Sequence, residues 1–259
     1  MNRKLLYFAC VIFVLLVSCK DQPTSPDITH KAGFCLTFDD TYVKQWQKII
    51  PLLDSNNVKV TFFLTQIYSL SDDEINSLHN FKTKGHEIGS HGWKHIDAVN
   101  FLKNHSVSDY IKQEITPAID FMNNHNLIPK SFSYPYGYNC DSLDNKLLQT
   151  FIALRDVEEI QRTIIVTDIS EIDDIYYKFD NKKVIPALGI DANFKISINM
   201  IEQGFIRASA NNEVIIFYAH QTVEKADGAY QTEFSYLKKL FTLARKYNLK
   251  CYTFSELVQ

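Results

Sequence analysis

The chain has no CxxC pair, no glycine-rich loop behind an apolar run, no cluster of lysine and arginine, and no internal repeat. Each absence closes a class. Without CxxC spacing, a thiolate metal site or a dithiol redox centre has nothing to build on. Without a glycine-rich phosphate cradle after a strand, nucleotide-binding folds lose support. Lys and Arg number 27 against 30 Asp and Glu, so the formal net charge is −3. A mildly acidic chain without a basic stripe argues against nucleic acid as substrate. Of the 5 cysteines, Cys35, Cys140 and Cys251 fall in the body of the chain. An odd number cannot all pair internally, and Cys35 and Cys251 stand in strand-like runs, where buried free thiols are the ordinary reading.

A bilayer-spanning run is missing too. Residues 5–17 are apolar but short for a bilayer, and they follow the basic pair Arg3-Lys4. The run ends in Leu16-Val17-Ser18-Cys19. Small residues before a cysteine, directly after an apolar stretch, resemble the lipobox of bacterial lipoproteins. That resemblance implies a signal peptide over 1–18 and lipidation of Cys19. It also implies a bacterial cell-envelope location, on the periplasmic or the outer face. The polar, proline-bearing segment 19–31 then reads as a flexible tether. Residues 32–259 remain as one folded domain, expected to be a monomer.

What is present is ample core material: 46% hydrophobic residues, among them 18 Phe, 14 Tyr and 2 Trp. Strand-like and helix-like segments alternate. Strands are expected at 33–38, 58–64, 87–90, 131–134, 152–155, 184–190, 214–218 and 250–253. Helices are expected at 43–56, from the Ser71–Glu74 capping box to Gly85, at 108–124 with a disturbance at Pro117, and at 143–150, 195–208 and 234–247. Residues 158–183 read as an acidic surface excursion. Repeated β–α alternation implies an α/β fold with a mainly parallel sheet. Seven or eight mostly parallel strands in one domain suggest a closed or nearly closed (β/α) barrel, with an open doubly wound sheet as the alternative.

Chemistry-bearing residues cluster after those strands. Gly33-Phe-Cys-Leu-Thr-Phe ends in Asp39-Asp40, and Gly85-His86-Glu-Ile-Gly-Ser-His91-Gly-Trp-Lys-His95 follows. An open catalytic metal site needs about three protein ligands, and one Asp with two His are suitable donors for zinc or another divalent ion. A helical turn would face His91 and His95 the same way. The second aspartate of the pair is then spare to act as a base. His86 reads as a structural histidine, and His30, His79, His105 and His125 as solvated ones.

Taken in order and spacing, Thr37-Phe-Asp39-Asp40 and the His91–His95 segment resemble the NodB-homology polysaccharide deacetylases, carbohydrate esterase family 4. Ser131-Phe-Ser-Tyr-Pro135-Tyr136-Gly137 falls where a third motif belongs, and the apolar strand before His220 where the last belongs. The resemblance implies a distorted (β/α) barrel and metal-dependent removal of acetyl groups from an acetylated glycan. It implies Asp39 as base and Asp40, His91 and His95 as ligands of one divalent ion: zinc first, with cobalt, nickel or manganese as alternatives. Tyr136 corresponds to the residue whose backbone N–H helps hold the oxyanion, and His220 to the general acid. Three departures stand out. Ser133 occupies the place of the arginine that orients the base, with Arg155 a candidate replacement. Thr41 follows the aspartate pair where glycine is common. No fourth motif, with its aspartate and tryptophan, is recognisable. The alternatives are an O-acetyl esterase acting on a plant polysaccharide and a carbohydrate-binding lipoprotein of the same fold.

Overall fold

The first strand, β1 (Gly33–Asp40), is apolar almost throughout and buried from Gly33 to Asp39. An uninterrupted run of this kind is what a parallel strand covered on both faces requires. In the computed structural model, which describes residues 30–158 and 168–259, β1 lies between β2 (Thr61–Leu64) and β8 (Val214–Ala219), parallel to both. The ring continues through β3 (Glu87–Ser90), β4 (Ser131–Ser133), β5 (Ala153–Val157) and β7 (Val184–Gly189), and β7 returns to β8. Among the described residues, seven parallel strands thus close a barrel, as the β–α alternation predicts. The short β11 (Lys250–Tyr252) lies beside the first residues of β1.

The proposed leader, Cys19 and the tether as far as residue 29 lie outside the described residues. His30 and Lys31, assigned to the tether, touch the body: His30 stacks on Phe179 at 4.2 Å, and the Lys31 carbonyl accepts the Tyr252 hydroxyl at 2.8 Å. No helix among the described residues is long and apolar enough to cross a membrane. Cys35, Cys140 and Cys251 are free thiols.

Strand periodicity sorts the side chains. Phe34, Leu36 and Phe38 point outward into the main core with Phe62, Leu64, Ile215 and Phe217. Cys35 points inward, with Phe63, Ala153, Val157, Ile216 and Tyr218. The same alternation places Asp39 on the inner face of β1 and Arg155 on the inner face of β5.

The outer core is closed by amphipathic helices. α1 (Val43–Ser55) buries Trp46, Ile49, Ile50 and Leu53, and α2 (Asp72–Thr83) opens on the Ser71–Glu74 capping box. The helix expected over 108–124, with its disturbance near Pro117, runs without a gap from Val107 to Asn124 and widens in its middle. A short turn, α3 (Ala98–Leu102), precedes α4 (Val107–Tyr110), a π-helical stretch (Ile111–Ile115) and α5 (Thr116–Asn124). The widened turn lies just before Pro117, whose ring cannot approach the carbonyl four residues back. After α6 (Asp141–Leu147), the described part of the acidic excursion packs down rather than standing free. Ile169, Ile172 and Ile175 are buried, and β6 (Tyr176–Tyr177) pairs antiparallel with β8. α7 (Ile198–Asn211) starts at the Ser197 cap. The β9 (Gln221–Val223) and β10 (Gln231–Glu233) pair precedes α8 (Phe234–Lys246); the sequence pattern did not reveal these strands.

His86 sits on the main core's edge, where its Nδ1 accepts the Val60 N–H at 3.2 Å. The proton is therefore on Nε2, buried without a partner near the edges of Phe62 and Phe81. Burial pushes this imidazole down to about 4. A group depressed by folding binds its proton more readily in the unfolded chain. Its stabilising contribution is present above the unfolded value of about 6.5 and is lost as pH falls through about 4. That loss is about 3 kcal/mol. Thermal melts between pH 7 and pH 4 should fall more steeply for the parent than for His86→Gln. Equal slopes would show that His86 does not carry this acid sensitivity.

Candidate active site at the barrel mouth

The carboxyl ends of the strands gather the polar residues, as parallel α/β architectures lead one to expect. Asp39 and Asp40 are the last two residues of β1; His91 follows β3 and His220 follows β8. Tyr136 lies in the turn after β4, and Arg155 is inside β5. One cavity of about 370 Å³ is lined by all seven of Asp39, Asp40, His91, His95, Tyr136, Arg155 and His220. Cys19 lies outside the described residues.

Asp40, His91 and His95 form a tight cluster. His91 Nε2 is 3.2 Å from His95 Nε2, and Asp40 Oδ1 lies 3.6 Å from His95 Nε2 and 4.0 Å from His91 Nε2. Donors about 2.0–2.1 Å from one tetrahedral zinc would stand roughly 3.3 Å apart, so the set fits a small divalent cation. The His91 ring is oriented for this: its Nδ1–H donates to the Ser133 carbonyl at 2.8 Å, leaving Nε2 as the lone-pair nitrogen. Burial drives the His91 imidazole down to about 3, so the ring is neutral, the form a cation needs. The two histidines do not converge through a helical turn. Gly92 at φ 85 and His95 at φ 64 curl the connecting loop through left-handed conformations. Asp40 at φ 81 and Tyr136 at φ 60 share this region, which is costly for residues with a side chain.

Asp39 is almost fully buried beside this cluster. Arg155 forms an ion pair with Asp39 Oδ2 and donates to the Ser133 hydroxyl through the same nitrogen. Ser133 and Arg155 are register partners on β4 and β5, so a guanidinium from the neighbouring strand occupies the space that the small Ser133 leaves. Burial alone would raise the Asp39 carboxyl. The Arg155 guanidinium, with His91 and His220, outweighs burial and holds it below the usual carboxylate range. Asp39 Oδ1 is buried with no partner, an acceptor left open beside the triad. Asp40 differs: burial raises it, only partly opposed by His220.

His220 is held by a residue that motif reading passed over. Asp191, fully buried two residues beyond β7, accepts from His220 Nδ1 at 2.6 Å and from its backbone N–H at 3.1 Å. The Thr232 hydroxyl, at 2.6 Å, completes the arrangement. Burial would lower His220, but the bond and charge of Asp191 reverse this and raise it. An aspartate at the carboxyl end of an apolar strand was the available signal; without tryptophan nearby it matched no pattern. Phe194, Tyr138 and Tyr230 also line the cavity, and the Tyr230 ring lies 5.0 Å from His220.

Fold and site together define a β/α-barrel protein whose mouth holds a buried Asp39–Arg155 ion pair and a His220–Asp191 pair beside an Asp–His–His cluster that could hold a cation. Sequence comparison narrows the class. Residues 27–151, just under half of the chain, match the polysaccharide deacetylase family. A chitin deacetylase from Pestalotiopsis sp is 42% identical over 65 residues, 25% of this chain and 22% of that protein, so the match spans less than a quarter of the relative's length. Three solved structures share the fold. The chitin deacetylase of Colletotrichum lindemuthianum has a TM-score of 0.58 at 18% identity, covering 89% of this chain and 88% of that one. The Xyl-CE4 domain of a multidomain xylanase from the hindgut metagenome of Trinervitermes trinervoides gives 0.54 at 17%, covering 88% and 89%. The peptidoglycan deacetylase PdaC of Bacillus subtilis gives 0.51 at 18%, covering 88% and 90%.

Proposed function

We propose that this protein is a metal-dependent hydrolase that removes acetyl groups from an acetylated glycan, N-acetylglucosamine-type sugars foremost. The observation that carries the reading is the meeting of three units at one cavity: Asp39 with Arg155, the Asp40–His91–His95 triad, and His220 with Asp191. Asp40, His91 and His95 would hold the divalent ion, zinc first. When bound, such an ion polarises a carbonyl and lowers the pKa of a water toward about 7.

The chain's own residues divide the remaining work. Arg155 keeps Asp39 ionised and fixes Oδ2, so the open Oδ1 takes the proton of the attacking water. The new C–O bond forms at the acetyl carbon, and the Tyr136 backbone N–H stabilises the negative oxygen. Asp191 accepts Nδ1–H and its negative charge favours the His220 imidazolium, the form that also carries a proton on Nε2. That Nε2 proton passes to the leaving nitrogen as the C–N bond breaks, releasing acetate and a free amine. Lipidation of Cys19, supported by the lipobox-like Leu16–Cys19 run, would hold the enzyme at a bacterial envelope, where acetylated wall or matrix glycans are within reach.

The test is acetate release from acetylated chito-oligosaccharides, peptidoglycan fragments and acetylated xylan, before and after treatment with a chelator. Release should fall to background on chelation and return on adding zinc. Release only from xylan would reassign the enzyme to O-acetyl esters. No release from any substrate by the zinc-loaded protein would sink the reading and favour a glycan-binding role.

A further inference from the structure

The loop from Gly92 to Ile96 carries His95, yet it belongs to no helix or strand. Something outside the loop must therefore hold it. From the barrel side, the Gln66 N–H donates to the Trp93 carbonyl at 3.1 Å. From the other side comes Glu114, a carboxylate with no exposed surface on the π-helical stretch Ile111–Ile115. The Lys94 N–H donates to both its oxygens, at 2.9 and 3.1 Å, and the Ile96 N–H donates at 3.3 Å. The N–H groups of Trp93 and His95 are also directed at it. Successive N–H groups that converge in this way form an anion-binding concavity, and here a side chain of the same protein fills it.

Two details make the fit specific. Gly92 stands at φ 85, and a Cβ there would come within 2.5 Å of Glu114 Oε2, so the carboxylate occupies the space that glycine leaves. His95, at φ 64, is in a conformation a residue with a side chain holds only where its surroundings over-determine it. Glu114 lies within the π-helical stretch itself, a local widening of the kind often found at functional sites.

We propose that Glu114 is a positioning residue for the metal triad: it folds the 93–96 backbone around its carboxylate and thereby fixes His95 toward His91 and Asp40. The inference rests on the metal-centre reading above. Glu114 touches neither substrate nor ion and acts through the backbone alone. Glutamine in its place has nearly the same volume. Its amide has one acceptor and one donor end, and the donor faces N–H groups that need an acceptor.

The experiment is competition for zinc with a chromophoric chelator. It compares the full chain with Glu114→Gln and Glu114→Asp, alongside melts of the metal-free proteins. The parent should bind one zinc, and Glu114→Gln should bind it about 10–100-fold more weakly. Glu114→Asp, which keeps the charge but shortens the reach, should fall between them. A Glu114→Gln protein that folds and binds zinc as tightly as the parent would overturn the proposal. So would failure of both variants to fold without metal, because Glu114 would then serve the fold at large. A parent that binds no zinc, cobalt, nickel or manganese would instead sink the metal-centre reading.

Discussion

Replacing Asp39 by Asn should cut acetate release by about 10²–10⁴-fold, the usual worth of a positioned general base. The Asp40–His91–His95 triad should stay competent to bind zinc. The amide keeps the shape of the carboxylate and still offers an oxygen to Arg155, but it cannot take a proton from water. Steady-state rates beside metal content measured on the same preparation separate the two effects. Unimpaired turnover in Asp39→Asn would remove Asp39 from the base role. Loss of bound metal along with activity would assign it to the cation site.

The second large effect concerns stability. Arg155 and Asp39 are both essentially buried and face each other inside the barrel, 116 positions apart in the chain. Taking one partner from a buried ion pair leaves the other charge uncompensated, which typically costs about 3–5 kcal/mol. Arg155→Met is expected to lower unfolding free energy by that order, read by chemical denaturation. The sign with pH follows from Asp39. Arg155 depresses its carboxyl in the folded state, so the pair's contribution is present above the unfolded carboxylate value of about 3.9. It is lost as pH falls below that value. The parent should therefore lose more stability on acidification than Arg155→Met. Because Ser133 and Arg155 are register partners, exchanging them (Ser133→Arg with Arg155→Ser) should recover part of what Arg155→Met loses. An Arg155→Met protein as stable as the parent would show that the guanidinium does not hold Asp39.

Much of the site is legible in one dimension because its residues travel with local patterns. Asp39 and Asp40 close an apolar strand, His91 and His95 share one short segment, and His220 ends another apolar run. A strand end announces itself by composition, and in a parallel fold strand ends converge. The seven-strand ring follows from the same β–α alternation. Less legible were segments whose structure depends on what lies across from them. The helix over 108–124 forms, but the π-helical form of the turn that seats Glu114 was not expected, and β6, β9 and β10 are too short to register a period.

The chain's pattern of apolar runs and histidine–aspartate spacings was therefore enough to set the barrel and the identity of the mouth residues. Which residue serves which was decided in three dimensions. Arg155 reaches Asp39 because β4 and β5 pair in a register that puts it opposite Ser133. Asp191 reaches His220 because β7 and β8 end side by side, and Glu114 reaches the His95 loop across a widened helical turn. These partnerships join residues 18 to 116 positions apart. Strand register and helix phase bring them into contact, and neither is written in the local sequence of any one partner.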